Sequence, residues 1–79
     1  MSTSAQKSDA ILHDLRELEA YMRERAEKTR TLSLQFAENA MKNPSNREFD
    51  LSQSRMLDYQ HSLWHEMGNL IERLIKKYE

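Results

Sequence analysis

The chain has no cysteine, one glycine and one proline among its 79 residues. Without cysteine there is no disulfide, no thiolate metal site and no cysteine nucleophile, and a reducing compartment, the cytoplasm by default, is the expected setting. A single Gly and a single Pro leave few places to turn, and with 32% charged and 38% hydrophobic residues the composition suits helices rather than sheets. Charge of one sign is also lacking. Twelve Lys and Arg face thirteen Asp and Glu, a formal net charge of −1, so no global field draws the protein to nucleic acid or anionic lipid. No run approaches the ~18 to 20 apolar residues of a spanning helix, and Met1 to Lys7 is small and polar, without the apolar centre of a signal peptide. One domain fits this length, and its core is small unless another chain completes it.

What is present is helical periodicity. Ser8 followed by Asp9 forms a plausible N-cap with an acidic first turn, and no Gly or Pro follows until Pro44, which predicts a flexible tail over 1–7 and a first helix over about 8–43. Ile11, Leu15, Leu18, Met22, Ala26, Thr29, Ser33, Phe36 and Ala40 recur at steps of three and four and define one stripe, apolar at its ends and small in its middle. Pro44 disfavours helix at Asn43 and places a turn at 44–46. Ser45 and Glu48 then have capping-box spacing, so a second helix is expected over about 46–78. Its principal stripe is Phe49, Met56, Leu63, Met67, Leu70 and Leu74, with Gln53 and Gln60 in register. So short a connection favours antiparallel neighbours, hence an all-α helical hairpin. Folding it about Pro44 sets Phe36 near Gln53, Leu32 near Met56, Leu18 near Leu70 and Leu15 near Leu74.

Beside that stripe runs a second series, Leu57, Trp64, Ile71 and Tyr78, spaced by sevens along one edge, with Ile75 close by. One partner helix cannot cover both. Leaving such side chains in water forgoes ~1.5 to 3 kcal/mol apiece. Leu57, Trp64, Met67, Ile71, Ile75 and Tyr78 are therefore the expected protein interface, with Trp64 and Tyr78 as rigid anchors. The hairpin is expected to become a helical bundle, coiled-coil-like in its packing, by self-association or on another protein.

Chemistry is sparse. His61 and His65 are four apart, a spacing at which two imidazoles share a metal, with Asp58 and Glu66 close by, but HSLWHE lacks the inner Glu of the zinc-protease pattern and His13 lies at the far end. Ser, His and Asp occur without a nucleophile elbow or a Gly-rich loop. No enzyme, cofactor or metal is expected. Arg23, Arg25, Lys28 and Arg30 cluster on the first helix, interleaved with Glu24 and Glu27 and without a stacking aromatic, which reads as a solvated face rather than a nucleic-acid site. Gly68 within the second helix costs ~1 kcal/mol relative to Ala, and a close approach or a bend would explain it.

The ending Leu70-Ile-Glu-Arg-Leu-Ile-Lys-Lys-Tyr78 resembles the close of the small needle co-chaperones of bacterial type III secretion. Asn43-Pro-Ser-Asn46, followed by Gln53 and Met56-Leu-Asp-Tyr59, is similar to the turn region of the needle subunits, although the Asn-rich segment and aromatic-Arg ending of those subunits are absent. The first resemblance implies a cytoplasmic two-helix chaperone that keeps an aggregation-prone subunit from polymerising. The second implies a self-assembling hairpin. Both agree with an adaptor, co-chaperone or structural subunit that works through an apolar helix face.

Overall fold

The computed structural model describes the backbone of residues 2–79 and the side chains of residues 7–79. It is an all-α hairpin: α1 spans Ser2–Lys42, a single 3-10 turn spans Pro44–Asn46 and α2 spans Arg47–Tyr78. There is no strand among the described residues. The expected tail is not seen as such. Met1 lies outside the described residues, and residues 2–7 continue α1, because nothing from Ser2 to Lys7 is a helix breaker and extending an existing helix escapes the cost of nucleation.

Pro44 ends α1 by sterics. Asn43 sits at φ −127° and ψ 88°, the extended region into which a following proline ring pushes its neighbour. Its N–H still bonds to the Asn39 carbonyl at 2.8 Å, and the Asn46 N–H closes the turn on the Asn43 carbonyl at 3.2 Å. The expected Ser45–Glu48 capping box does not form. Ser45 Oγ donates instead to Asn43 Oδ1 at 2.8 Å, and Asn46, the N-cap of α2, makes no side-chain cap bond. With the Ser hydroxyl occupied by the turn itself, Glu48 and Asp50 in the first turn and Lys76 and Lys77 in the last complement the helix dipole.

The two helices lie side by side as a rod of 66 × 14 × 12 Å with a radius of gyration of 18.3 Å, against about 12 Å for a compact domain of this length. Between them the buried residues are Met22, Ala26, Thr29, Ser33 and Ala40 of α1, and Asp50, Ser54, Gly68 and Ile75 of α2. This interior is thin and half polar. At its middle the Ser33 hydroxyl lies 3.0 Å from both the carbonyl and the hydroxyl of Ser54 and also reaches the Asp58 carboxylate. His61 Nδ1 lies 2.7 Å from the Ala26 carbonyl. A carbonyl only accepts, so the His61 proton is on Nδ1.

Candidate interaction surface

In α2 the residues facing α1 are Asp50, Ser54, Leu57, His61, Trp64, Gly68, Ile71 and Ile75, all buried or half-buried. Their steps alternate strictly four and three, a heptad seam. One residue earlier at every position stands a second seam with the same steps: Phe49, Gln53, Met56, Gln60, Leu63, Met67, Leu70 and Leu74. All of its apolar members are exposed. At ~100° per residue the second seam is turned by about a quarter of the helix circumference from the first.

This reverses the expected assignment of faces. The series expected to be left over is the one the hairpin covers: Trp64 packs edge-on against Tyr21 at 5.9 Å between ring centroids, and the Arg25 guanidinium lies 5.9 Å from the Trp64 ring centre. Leu57 and Ile71 are half-buried and Ile75 is buried. Of the six expected interface residues only Met67 and Tyr78 stand exposed. The predicted lengthwise register is nearly kept, since Ser33 meets Ser54, Phe36 meets Phe49 and Leu15 lies beside Leu74; what differs is a roll of α2. The physical reason is complementarity. The inner seam brings Ser54 and His61, with Asp58 beside them, to the polar middle of α1 and the Trp64 indole to Tyr21, whereas the outer seam would have brought Gln53 and Gln60, and Leu63 in place of the indole.

The outer seam is not alone on its side. In an antiparallel pair, the residues one position before the contact residues of each helix fall on the same side of the pair. On α1 the positions before the buried Met22, Ala26, Thr29, Ser33 and Ala40 are Tyr21, Arg25, Lys28, Leu32 and Asn39, and those before the half-buried Leu12, Leu15 and Glu19 are Ile11, Asp14 and Leu18; Ile11, Leu18, Tyr21 and Leu32 among them are exposed apolar side chains. Ile11, Leu15, Leu74 and Tyr78 line a common groove at the open end of the hairpin. Near the turn the Phe36 and Phe49 rings meet at 6.5 Å and 72°. On this side the rod therefore carries the apolar seam of α2 beside a mixed strip of α1, in which Asp14, Arg25, Lys28 and Asn39 alternate with apolar residues.

The opposite side carries the polar contacts between the helices, with Leu34 and Met41 exposed beside them near the turn. Arg23 donates to Glu19 at 3.1 Å and Asn69 at 3.0 Å, and stands 3.8 Å from Glu72. Arg16 pairs with Glu79 at 3.1 Å. Gly68 explains this crossing: a Cβ there would stand 3.0 Å from Arg23 Nη1 and 3.1 Å from Cζ, so the missing side chain is the bed on which the guanidinium lies.

The remaining candidates are placed as follows. The His61 and His65 rings are stacked at 6.1 Å and 16°, with His61 Nδ1 committed to Ala26. Among the described residues no group of three or more His, Cys, Asp or Glu side chains is positioned to hold a metal ion. Of the four basic residues on α1, Arg23 and Lys28 are engaged with carboxylates and Arg25 with Trp64. No helix is long and apolar enough to cross a membrane among the described residues. Comparison of the chain with protein-family models, curated proteins and solved structures found no match.

Proposed function

We propose that this chain is a non-enzymatic protein-interaction module that works by burying the apolar seam of α2 on another helical surface. The observation that carries the reading is the outer seam of α2 from Phe49 to Leu74, whose apolar members are all exposed, with Gln53 and Gln60 between them and Leu63, Met67, Leu70 and Leu74 in an unbroken run, and with Ile11, Leu18 and Leu32 of α1 on the same side. Exposed apolar side chains scattered singly need no explanation, but an unbroken run of them marks a binding surface. Its four-three spacing is that of helix-on-helix packing. The interface residues are Phe49, Met56, Leu63, Met67, Leu70 and Leu74, in place of the inner seam.

The finer reading, an adaptor or co-chaperone of the cytoplasm, is supported by the likeness of Leu70–Tyr78 to the type III needle co-chaperones and by the absence of cysteine. A co-chaperone of that kind slows polymerisation of a needle subunit when mixed with it at equal concentration, and the double variant Leu63→Glu/Leu70→Glu loses the effect. Light scattering of the polymerising subunit reads this directly. Unchanged polymerisation in excess of the wild-type chain would withdraw the co-chaperone assignment.

A further inference from the structure

Away from the apolar seam, α2 carries two imidazoles one helical turn apart. We infer that His61 and His65 form a binding site for one divalent transition-metal ion, copper(II) in preference to nickel(II) or zinc(II). The chain supplies two ring nitrogens and water fills the other positions. The site rests on no part of the proposed function.

Residues four apart on a helix stand one above the other, and here the two rings face each other nearly parallel, with 6.1 Å between centroids and 16° between planes. His61 is the fixed member. Its Nδ1 donates to the Ala26 carbonyl at 2.7 Å, which leaves the lone pair on Nε2. Metal-binding histidines are held in this way: one ring nitrogen gives its proton to a carbonyl, which orients the ring and makes the other nitrogen a better donor of electrons. Ala26 belongs to α1, so the ring is aimed by the opposite helix and the site depends on the closed hairpin. His65 is the adjustable member. Its side chain is exposed, while its backbone carbonyl accepts from Arg23 Nη1 at 3.5 Å. Two nitrogens that share an ion at ~2.0 to 2.1 Å each stand no more than about 4 Å apart, and a turn of the exposed His65 side chain toward His61 brings them there.

The donors select the ion. Imidazole suits copper, nickel and zinc, whereas calcium and magnesium take oxygen, and among the first three copper binds a given nitrogen site most tightly. Among the described residues no third His, Asp or Glu is gathered with the pair, so the site is not the closed four-ligand kind that zinc uses structurally. The missing inner Glu of HSLWHE speaks against protease chemistry and leaves binding untouched. Arg23 brings positive charge beside His65, but Glu19 at 3.1 Å and Glu72 at 3.8 Å answer it. Asp58 and Glu66 flank the pair in sequence. His65 follows Trp64 by one position and Leu63 precedes it by one, so the ion and the apolar seam lie on different sides of α2.

The test uses the full chain and the metal alone. Copper(II) should bind at one ion per chain, more tightly than nickel(II) or zinc(II), with the electron paramagnetic resonance pattern of two imidazole nitrogens. At a hundredfold excess over the dissociation constant it should raise the melting temperature by on the order of 10 °C, because the unfolded chain does not hold the two rings together. His65→Gln changes an exposed side chain, so the helical circular dichroism stays. It should lose more than about tenfold in affinity, since even partners of a ligand are worth that much, and the melting shift should go with it. His61→Gln should lose both as well. His13→Gln should lose neither, since His13 pairs with Glu17 elsewhere on α1. Copper binding that survives His65→Gln, a resonance pattern of one imidazole, or a melting temperature that copper does not raise would each overturn the site.

Discussion

Gly68→Ala offers a sharp check on the packing between the helices. In an exposed helix interior this change raises stability by ~1 kcal/mol, through the lower backbone entropy of the unfolded chain and the better propensity of Ala. Here the new methyl stands 3.0 Å from Arg23 Nη1, 3.1 Å from Cζ and 3.2 Å from Nε, closer than packed atoms comfortably sit, so the guanidinium must lift by a few tenths of an ångström. Lifting loosens its contacts with Asn69 at 3.0 Å, the His65 carbonyl at 3.5 Å and Glu19 at 3.1 Å. The side chain is one-third exposed and water screens these contacts, so their weakening costs roughly half a kcal/mol in all. The net expectation is a gain of about half a kcal/mol with Arg23 present and the full ~1 kcal/mol in an Arg23→Ala background, a coupling of about half a kcal/mol. For a domain of this size that is ~2 to 4 °C against ~4 to 8 °C in melting temperature. Thermal melts followed by circular dichroism at one fixed concentration resolve the difference, and the concentration is held because association shifts the midpoint. Equal gains in the two backgrounds would refute the claim that Gly68 is the bed of the Arg23 guanidinium.

Trp64→Ala should lower hairpin stability by ~2 to 4 kcal/mol, because it empties the contact with Tyr21 and Arg25; a melt unchanged by this substitution would contradict the placement of Trp64 between the helices. Leu63→Ala, on the exposed seam, should cost less than ~1 kcal/mol of monomer stability and act on association instead, which separates the two seams in one pair of variants. Ser33→Ala and Ser54→Ala each remove one side of a buried hydroxyl pair and should cost about 1 kcal/mol apiece, while the double variant falls short of their sum; full additivity in denaturant melts would mean the two hydroxyls do not pair. Glu72→Gln should change stability by less than ~0.5 kcal/mol, since its pairing with Arg23 at 3.8 Å is a surface contact.

Much of the fold is legible from punctuation and period. Pro44, with the extended residue it forces at Asn43, divides the helices, and four-three spacing on both sides sets Leu32 near Met56 and Phe36 near Gln53, within a few residues of the observed Ser33–Ser54 and Phe36–Phe49 pairs. The start of α1 is not legible, because Ser8-Asp9 has the chemistry of a cap while Ser2 to Lys7 has nothing that prevents helix. The exposed seam of α2 lies one residue out of phase with the seam expected to be exposed. Periodicity ranks seams by apolar content, and on α2 it favours Phe49 to Leu74 as the inner face. Which seam turns inward depends on the other helix: Ser33 needs a polar partner, the Ala26 carbonyl accepts a hydrogen bond from His61 Nδ1, and Tyr21 with Arg25 flanks an indole. Those are pairwise relations, and a single-helix pattern does not contain them. The role of Gly68 is legible only as a question, since its answer is a guanidinium 45 positions earlier in the chain.

Because the outer seam precedes the inner one by a single position throughout α2, insertions and deletions in this helix are not equivalent. One residue added near Asp58 advances everything after it by one position, so that Gln60, Leu63, Met67, Leu70 and Leu74 arrive where His61, Trp64, Gly68, Ile71 and Ile75 now face α1. The lengthened chain gains a more apolar interior, but Met67 then arrives on the bed of the Arg23 guanidinium, and Trp64, Ile71 and Ile75 turn outward, so one exposed apolar seam replaces another. One residue removed at the same place delivers Ser62, His65, Asn69, Glu72 and Lys76 to that interior, and the second half of the hairpin comes apart. Growth by one residue thus keeps an apolar interior at the cost of the Arg23 contact, loss by one residue does not, and a length variant that keeps its helicity with Trp64 open to solvent is the signature of the first case.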